Sequence, residues 1–196
     1  PLQAALGYTI AQNLFISKRN LLVEGPADLL LLQFFSSRLE QAKRTGLRDD
    51  VIVVPAGGGG KIATFVALLN ANNLELVTLT DYAGKPDESL KALARDKIIP
   101  EKLLLHYGLF RVANGTAAPA TDVEDLLPVS TYLDYFNRAF GTTFVEADLP
   151  AGDRILDRLN RLLEGRKIKL RPSGGFNHFS VMEKLVTSGD YAPNAS

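Results

Sequence analysis

Short apolar runs that alternate with helical segments constrain the fold of this chain more than any other sequence feature. NLLV (20–23), VIVVPA (51–56) and LELVTLTD (74–81) are rich in aliphatic and β-branched residues, as buried parallel strands are. Helical patterns follow the first two runs, over 26–43 and 61–73. This alternation predicts an α/β fold, in which a parallel sheet carries helices on both faces.

The rest of the chain continues the alternation and then becomes mainly helical. Residues 86–108 predict a helix that is interrupted near Pro100, and LFRVAN (109–114) predicts a fourth strand. Three more helices are predicted, over 123–141, 152–166 and 176–189. The first two of these have polar faces and a short connection, which indicates a small helical insertion.

Composition excludes several classes of protein. The chain of 196 residues has no cysteine, so disulfides, thiolate chemistry and cysteine-ligated zinc are ruled out. No apolar run is long enough to cross a bilayer, and the first 20 residues lack the layout of a signal peptide. Because the chain does not begin with Met, we expect a fragment of a larger cytoplasmic protein. Lys+Arg and Asp+Glu balance at 22 each, which neither indicates nor excludes a nucleic-acid partner.

Carboxylates stand where the predicted strands end. Glu24 follows the first strand, Asp81 follows the third, and Asp28 lies one helical turn beyond Glu24. Asp122 and Glu124 follow the predicted fourth strand. Because the carboxyl ends of parallel strands meet at one edge of a sheet, we expect these side chains to converge there.

Each carboxylate taken alone also has a purely structural role open to it. Asp28 suits the positive end of a helix, Asp122 suits an N-cap, and Asp81 suits the start of a turn. As a set they favour a site for a hard divalent ion such as Mg²⁺, Mn²⁺ or Ca²⁺. Two such ions would support phosphoryl-transfer chemistry.

The glycine run at 57–60 is similar to a phosphate loop but departs from the nucleotide-binding signature. That signature requires Gly where Pro55 stands, and Ser or Thr where Ile62 follows Lys61. ATP binding is therefore disfavoured. Close packing of strand on helix, or contact with a phosphate backbone, accounts for the glycines better.

Three further residues have ordinary structural interpretations. Lys184 alone is typical of a surface lysine, and no second histidine stands at metal-ligand spacing from His106 or His178. Both histidines are predicted to be packing or surface residues. Residues 167–173 supply local positive charge that suits a phosphate backbone.

Three motifs together resemble the topoisomerase–primase (Toprim) domain. They are LLVEGPAD (21–28), VVPAGGGG (53–60) and TLTDYAGKPD (78–87). The VEDLLP segment, the helical insertion and the late helix with a lysine resemble the overcoming-lysogenisation-defect (OLD) nucleases in particular. The resemblance implies a Rossmann-like Toprim fold over 18–127 with 167–190, and a helical insertion over 128–166.

The resemblance also implies a site and its partners. The implied metal ligands are Glu24, Asp28, Asp81, Asp122 and Glu124. Glu24 would also act as general base, and Lys184 would stabilise charge in the transition state. The implied cofactor is Mg²⁺ or Mn²⁺, as two ions, with Ca²⁺ also able to bind. The implied partners are DNA and an N-terminal ABC-type ATPase region of the full-length chain, which could form a homodimer; no membrane is implied.

One residue departs from the Toprim motif. The second Asp of the family's Asp-x-Asp is Ala83 here. The leading hypothesis is a two-metal DNA endonuclease that hydrolyses phosphodiesters, cutting one strand or both. The alternative is a non-catalytic Toprim module that binds DNA or a partner protein as a scaffold. Topoisomerase and primase activities are disfavoured, since the chain shows no separate cleavage domain and no nucleotide-binding elements.

Overall fold

A parallel sheet forms the centre of the molecule. The computed structural model describes residues 19–70, 74–111 and 118–191. The strands of the sheet are β1 (Arg19–Val23), β2 (Val51–Pro55), β3 (Glu75–Thr80) and β4 (Leu104–His106). Their spatial order is β2-β1-β3-β4, and every pairing is parallel. The α/β, Toprim-type fold class predicted from the sequence is confirmed.

Helices connect and cover the strands. Those of the described residues are α1 (Pro26–Gln41), α2 (Ile62–Asn70), α3 (Glu88–Arg95), α4 (Val129–Phe140), α5 (Ile155–Gly165) and α6 (His178–Ser188). The longest of them has 16 residues, whereas a membrane-spanning helix needs about 20 apolar residues. No helix in this part of the chain could therefore cross a membrane.

The sheet separates two hydrophobic cores. Neighbouring residues of a strand point to opposite faces, so Leu22 joins one core and Val23 the other. The Leu22 core is formed with α2 and α3, and the Val23 core with α1, α4, α5 and α6. Because parallel crossovers are right-handed, the connection from β1 to β2 and the return from β2 to β3 place their helices on opposite faces.

The fourth strand lies earlier in the chain than predicted. β4 falls within the segment predicted as helix, and Tyr107–Arg111 forms a 3₁₀ turn where a strand was expected. A short apolar run such as Leu104–His106 fits either element, and pairing with Thr78–Thr80 of β3 decides in favour of the strand. The remainder of the predicted strand, 112–114, lies outside the described residues, as do 71–73 and the first 18 residues.

The helix predicted over 123–141 is also divided. Val123–Leu126 forms a 3₁₀ turn, and α4 begins only at Val129. Pro128 causes the break, because a proline disfavours helical backbone at the residue before it. Leu127 accordingly has an extended conformation, with φ −86° and ψ 146°.

The helices after residue 128 all contribute to the core that contains Val23. Phe136 of α4 packs edge-on against Phe176, with ring centroids 5.0 Å apart. Helix α6 packs against both α1 and α4. The division into a Toprim part and an insertion over 128–166 stays a prediction.

Candidate metal centre

The backbone and side chain of Glu24 tie together the ends of three strands. Glu24 follows β1, at the point where the strand order reverses. Its Oε1 accepts a hydrogen bond of 3.1 Å from the backbone N–H of Asp81, which follows β3. Its carbonyl oxygen accepts hydrogen bonds from the N–H groups of Gly57 and Gly58, at 3.0 and 2.8 Å, after β2. The carboxylate therefore stands at the crevice where open α/β sheets bind ligands.

The carboxylate of Asp28 is buried and is bonded at both oxygens. Oδ2 accepts the backbone N–H of Gly25 at 2.9 Å, which caps the start of α1. Oδ1 accepts the hydroxyl of Tyr107 at 2.6 Å. Asp28 thus fixes the Gly25 turn that directs Glu24, and the end of β4 supplies the second bond.

A backbone bridge places Asp122 and Glu124 beside Asp81. Tyr82 and Thr121 exchange both backbone hydrogen bonds, at 2.8 and 2.7 Å, as an isolated antiparallel pair. The bridge holds the segment after Thr121 against the end of β3. Asp122 and Glu124 are then almost fully buried, with 3% and 2% of their surface exposed.

Two basic side chains from later elements reach these buried acids. Nη1 of Arg154, at the start of α5, lies 3.1 Å from Oδ1 of Asp122. Nδ1 of His178, at the start of α6, lies 2.6 Å from Oε1 of Glu124. The hydrogen bond to Glu124 raises the pKa of His178, so its positive form is favoured.

Asp125 has a structural role beside the site. Its Oδ2 accepts the N–H of Asp122 at 2.8 Å, and its Oδ1 accepts the N–H of Ile155 at 2.7 Å. Asp122 stands at the N-cap position of the turn, as its sequence context suggested, but the capping carboxylate belongs to Asp125. Asp125 therefore joins the Asp122 turn to the first turn of α5.

The acids raise one another's pKa values. Burial, followed by the charges of Asp122 and Glu24, raises the pKa of Asp81 to about 9. Burial raises the pKa of Asp122 to about 7, even though Arg154 acts in the opposite direction. Burial also raises the pKa of Glu24 and of Asp28. Negative charge at this edge of the sheet is therefore poorly compensated by the protein.

A cavity of about 440 Å³ opens beside these acids. Glu24, Asp81 and Arg154 line it, so two of the acids and a cation face the same space. The stacked rings of Tyr82 and His106, with centroids 4.1 Å apart, form another part of its wall. The cavity is large enough for a small ligand or part of a larger one.

Comparison with known families agrees with this geometry. The family described as overcoming lysogenization defect protein-like, TOPRIM domain, matches residues 15–82. This segment is an OLD-like Toprim domain. It contains Glu24, Asp28 and Asp81, whereas Asp122, Glu124 and Lys184 lie beyond the matched residues. The searches of curated proteins and of solved structures returned no match.

Toprim domains generally bind divalent metals, and the chemistry of these side chains fits such an ion. Oxygen ligands suit Mg²⁺ and Mn²⁺, and a divalent cation would offset the repulsion that raises the pKa of Asp81. Among residues 19–70, 74–111 and 118–191, however, no three Asp, Glu, His or Cys side chains are arranged to hold an ion.

Four of the five predicted ligands already have hydrogen-bond partners within the protein, and Glu24 bonds to the backbone of Asp81. Asp28 bonds to Tyr107, Asp122 to Arg154, and Glu124 to His178. The carboxylate of Asp81 alone among the five predicted ligands accepts no hydrogen bond from the described part of the chain. Glu24 and Asp81, which also face the cavity, are therefore the side chains best placed to meet an ion first.

Ala83 and Lys184 are both exposed, in contrast to Asp28, Asp122 and Glu124. Ala83 is exposed on the cavity wall, one residue beyond Tyr82. Lys184 is exposed on α6, whose buried residues are Val181, Met182 and Leu185. At 100° per residue, Lys184 points about 120° away from His178 around the helix. The role of Lys184 in charge stabilisation stays a prediction.

Three partners of the acids were not predicted from the sequence. Tyr107 was placed inside a helix, His178 was assigned no contact with the site, and Arg154 was not singled out. No local signal identifies any of them, since each bonds to a residue far away in the sequence. His106 does pack, as predicted, in its stack with Tyr82.

The glycine run allows Glu24 to lie close to the backbone after β2. A Cβ atom at Gly59 would stand 2.7 Å from Oε2 of Glu24, which is closer than real Cβ contacts come. A Cβ at Gly60 would meet no atom within 4 Å. Gly59 of the run thus allows close packing against the Glu24 carboxylate, whereas the predicted packing of strand on helix and the contact with a phosphate backbone stay predictions.

We expect Gly59→Ala to displace the Glu24 carboxylate while leaving the fold intact. The clash falls on the flexible end of one side chain, so the Tm should change little. Mn²⁺ affinity, measured by calorimetry, should fall about tenfold, equivalent to roughly 1.4 kcal/mol. Gly60→Ala is the matched control and should bind Mn²⁺ like the natural chain. Equal loss in both variants would mean that general distortion of the loop, not contact with Glu24, is responsible.

Proposed function

We propose that this chain is the metal-dependent DNA endonuclease region of an OLD-type ATPase–nuclease. An OLD-like Toprim domain indicates a nuclease- or primase-type function that involves metal. The observation that most supports the proposal is that Glu24 and Asp81 line one cavity at the reversal point of the sheet. Burial and the neighbouring acids raise the pKa of Asp81 to about 9. Such uncompensated acids beside a cavity are typical of functional sites.

The proposed roles follow from where each side chain lies. Mg²⁺ or Mn²⁺, bound as two ions, would activate a water and stabilise the leaving oxygen of a phosphodiester. Glu24 and Asp81 would hold the ions from the cavity side, and Asp28, Asp122 and Glu124 from the buried side. Glu24 is the proposed general base, because burial raises its pKa and so strengthens it as a proton acceptor.

The proposed partners are DNA as substrate and an N-terminal ABC-type ATPase region of the full-length chain. The ATPase region would regulate access to the site. A homodimer of the full-length protein would be compatible with these two partners. These partners rest on the resemblance to OLD nucleases.

Plasmid cleavage tests the proposed activity. The 196-residue chain should nick or linearise supercoiled plasmid in Mn²⁺ or Mg²⁺ and leave it intact in EDTA. The double variant Glu24→Gln/Asp81→Asn, purified identically, should be inactive and so exclude a contaminating nuclease. Asp49→Asn, at an exposed position before β2, should cleave normally. Equal cleavage by the double variant, or equal cleavage in EDTA, would disprove the assignment.

A second candidate function is a non-catalytic scaffold that binds DNA or a partner protein. Ala83 in place of the second motif aspartate favours it, as does the lack of three converging ligands within the described ranges. Calorimetry distinguishes the two functions. A nuclease site should bind Mn²⁺, Mg²⁺ or Ca²⁺, and Glu24→Gln/Asp81→Asn should weaken that binding. A scaffold with a decayed site should show no heat of binding with any of the three ions.

A further inference from the structure

Positive charge is concentrated in one short part of this electrically neutral chain. Between residues 154 and 171 there are seven basic side chains and two acidic ones, Asp157 and Glu164. The other residues hold the remaining 15 basic and 20 acidic side chains. We call this set the α5 basic stretch: Arg154, Arg158, Arg161, Arg166, Lys167, Lys169 and Arg171. It runs from Arg154, the residue before α5, through α5 and the segment that follows it.

Most of this charge is not neutralised by the protein. Arg154 pairs with Asp122 and Asp157, and Arg166 pairs with Asp148. The other five basic side chains form no ion pair with the described part of the chain. Lys167, Lys169 and Arg171 are exposed, and their charge is available to a polyanion.

The stretch begins at the candidate metal centre. Arg154 lines the cavity that Glu24 and Asp81 also line. It lines, in addition, a second cleft of about 410 Å³ along α5, which reaches Arg161 and is also lined by Asp153, Asp157 and Glu164. Arg154 thus borders both depressions, so a phosphate backbone that reaches the cavity at Arg154 could continue along α5.

The length of α5 sets the distance between the two ends of the surface. The helix has 11 residues and so spans about 16 Å at 1.5 Å per residue. B-DNA advances about 3.4 Å per base pair, so roughly five base pairs fit along α5. A duplex that runs from the cavity along α5 would carry further phosphates toward the end of the helix, after which the exposed Lys167, Lys169 and Arg171 follow.

We infer that the α5 basic stretch binds the DNA backbone beside the cleavage site. This inference rests on the proposed function for its substrate, and it adds the surface that holds that substrate. Such contacts position the duplex without reading its sequence. Arg154 connects this surface to the acids through its bond to Asp122.

Salt-dependent DNA binding tests the inference. Affinity of the 196-residue chain for a fluorescent duplex would be measured in EDTA, where metal-dependent cutting is blocked but Lys and Arg contacts persist. The triple variant Lys167→Gln/Lys169→Gln/Arg171→Gln should bind about tenfold or more weakly and should lower the slope of log K against log salt by up to about 3. Both losses should be independent of DNA sequence.

Matched variants distinguish the loss of this surface from a general loss of positive charge. Lys43→Gln/Arg44→Gln/Lys102→Gln removes the same charge from exposed positions near the opposite edge of the sheet and should bind normally. Lys167→Arg/Lys169→Arg/Arg171→Lys keeps the charge and should retain affinity. If the triple Gln variant does not fold by circular dichroism, Lys169→Gln alone should lower the slope by about 1.

The outcomes separate this inference from the proposed nuclease. Three outcomes would overturn the inference: equal weakening of DNA binding by both Gln triples, unchanged binding by Lys167→Gln/Lys169→Gln/Arg171→Gln, or no DNA binding by the natural chain. Bis(p-nitrophenyl) phosphate is too small to need the basic surface, so its hydrolysis in Mn²⁺ reports on the metal site alone. The rate should be equal in the natural chain and in Lys167→Gln/Lys169→Gln/Arg171→Gln. If the natural chain does not hydrolyse this compound but still binds DNA in a salt-dependent way, the proposed nuclease function is wrong and the proposed DNA-binding surface stands.

Discussion

Asp81→Asn is expected to stabilise the metal-free protein at pH 8 and to abolish metal-dependent cleavage. The pKa of Asp81 is about 9 in the folded chain, whereas an unfolded aspartate has a pKa of about 3.9. The folded state therefore binds more protons than the unfolded state between these values, and its free energy of unfolding falls as pH rises from about 4 to 9. Asparagine does not titrate, so the free energy of unfolding of the variant does not fall for this reason as pH rises.

The size of the effect is set by how well solvent screens a half-buried group. The full difference in pKa would correspond to about 7 kcal/mol at roughly 1.4 kcal/mol per pH unit. Because solvent and the flexible neighbouring acids reduce it, we expect about 2 kcal/mol at pH 8. That corresponds to an increase in Tm of about 4–8 °C for a chain of this size.

Thermal melts in EDTA at pH 4 and pH 8 measure this effect. The difference between Asp81→Asn and the natural chain should be large at pH 8 and should vanish near pH 4. Added Mn²⁺ should raise the Tm of the natural chain more than that of the variant, because ligand binding stabilises the folded state. Asp49→Asn should melt like the natural chain throughout. A lower Tm for Asp81→Asn at pH 8 in EDTA would show that its carboxylate is already stabilised by the protein.

Tyr107→Phe should destabilise the fold, whereas Tyr132→Phe should not. Both rings are fully buried, but among the described residues only the Tyr107 hydroxyl has a partner, the carboxylate of Asp28. Removing that hydroxyl leaves a buried acid oxygen without its donor, which costs about 1–3 kcal/mol. The Tyr132 hydroxyl is buried and lacks a hydrogen-bond partner within the described ranges. Its removal should be neutral or slightly stabilising.

Urea unfolding of the two variants gives a direct comparison. The same oxygen is deleted from the same residue type in each, so the difference in unfolding free energy isolates the bond to Asp28. Mn²⁺ affinity should also fall in Tyr107→Phe, because Asp28 fixes the Gly25 turn that directs Glu24. Equal stability of the two variants would indicate that the Tyr107–Asp28 bond contributes nothing measurable.

Local sequence was sufficient to place the early elements and the first acids. The ends of β1 and β3 follow from apolar runs that stop at Glu24 and Asp81. Such strand ends can be predicted from local sequence without tertiary information. The Gly25–Pro26 turn likewise marks the start of α1. β4 could not be placed, because Leu104–His106 is too short for its pattern to distinguish strand from helix.

LLVEGPAD by itself determined that Glu24 follows a buried strand and that Asp28 lies in the first turn of a helix. Only the tertiary structure decided which groups surround them. The Tyr82–Thr121 bridge brings Asp122 and Glu124 to the same edge, Tyr107 bonds to Asp28, and Arg154 arrives from α5. The physical reason is that periodicity and capping act within a few residues, whereas burial and charge depend on segments that meet only when the chain packs.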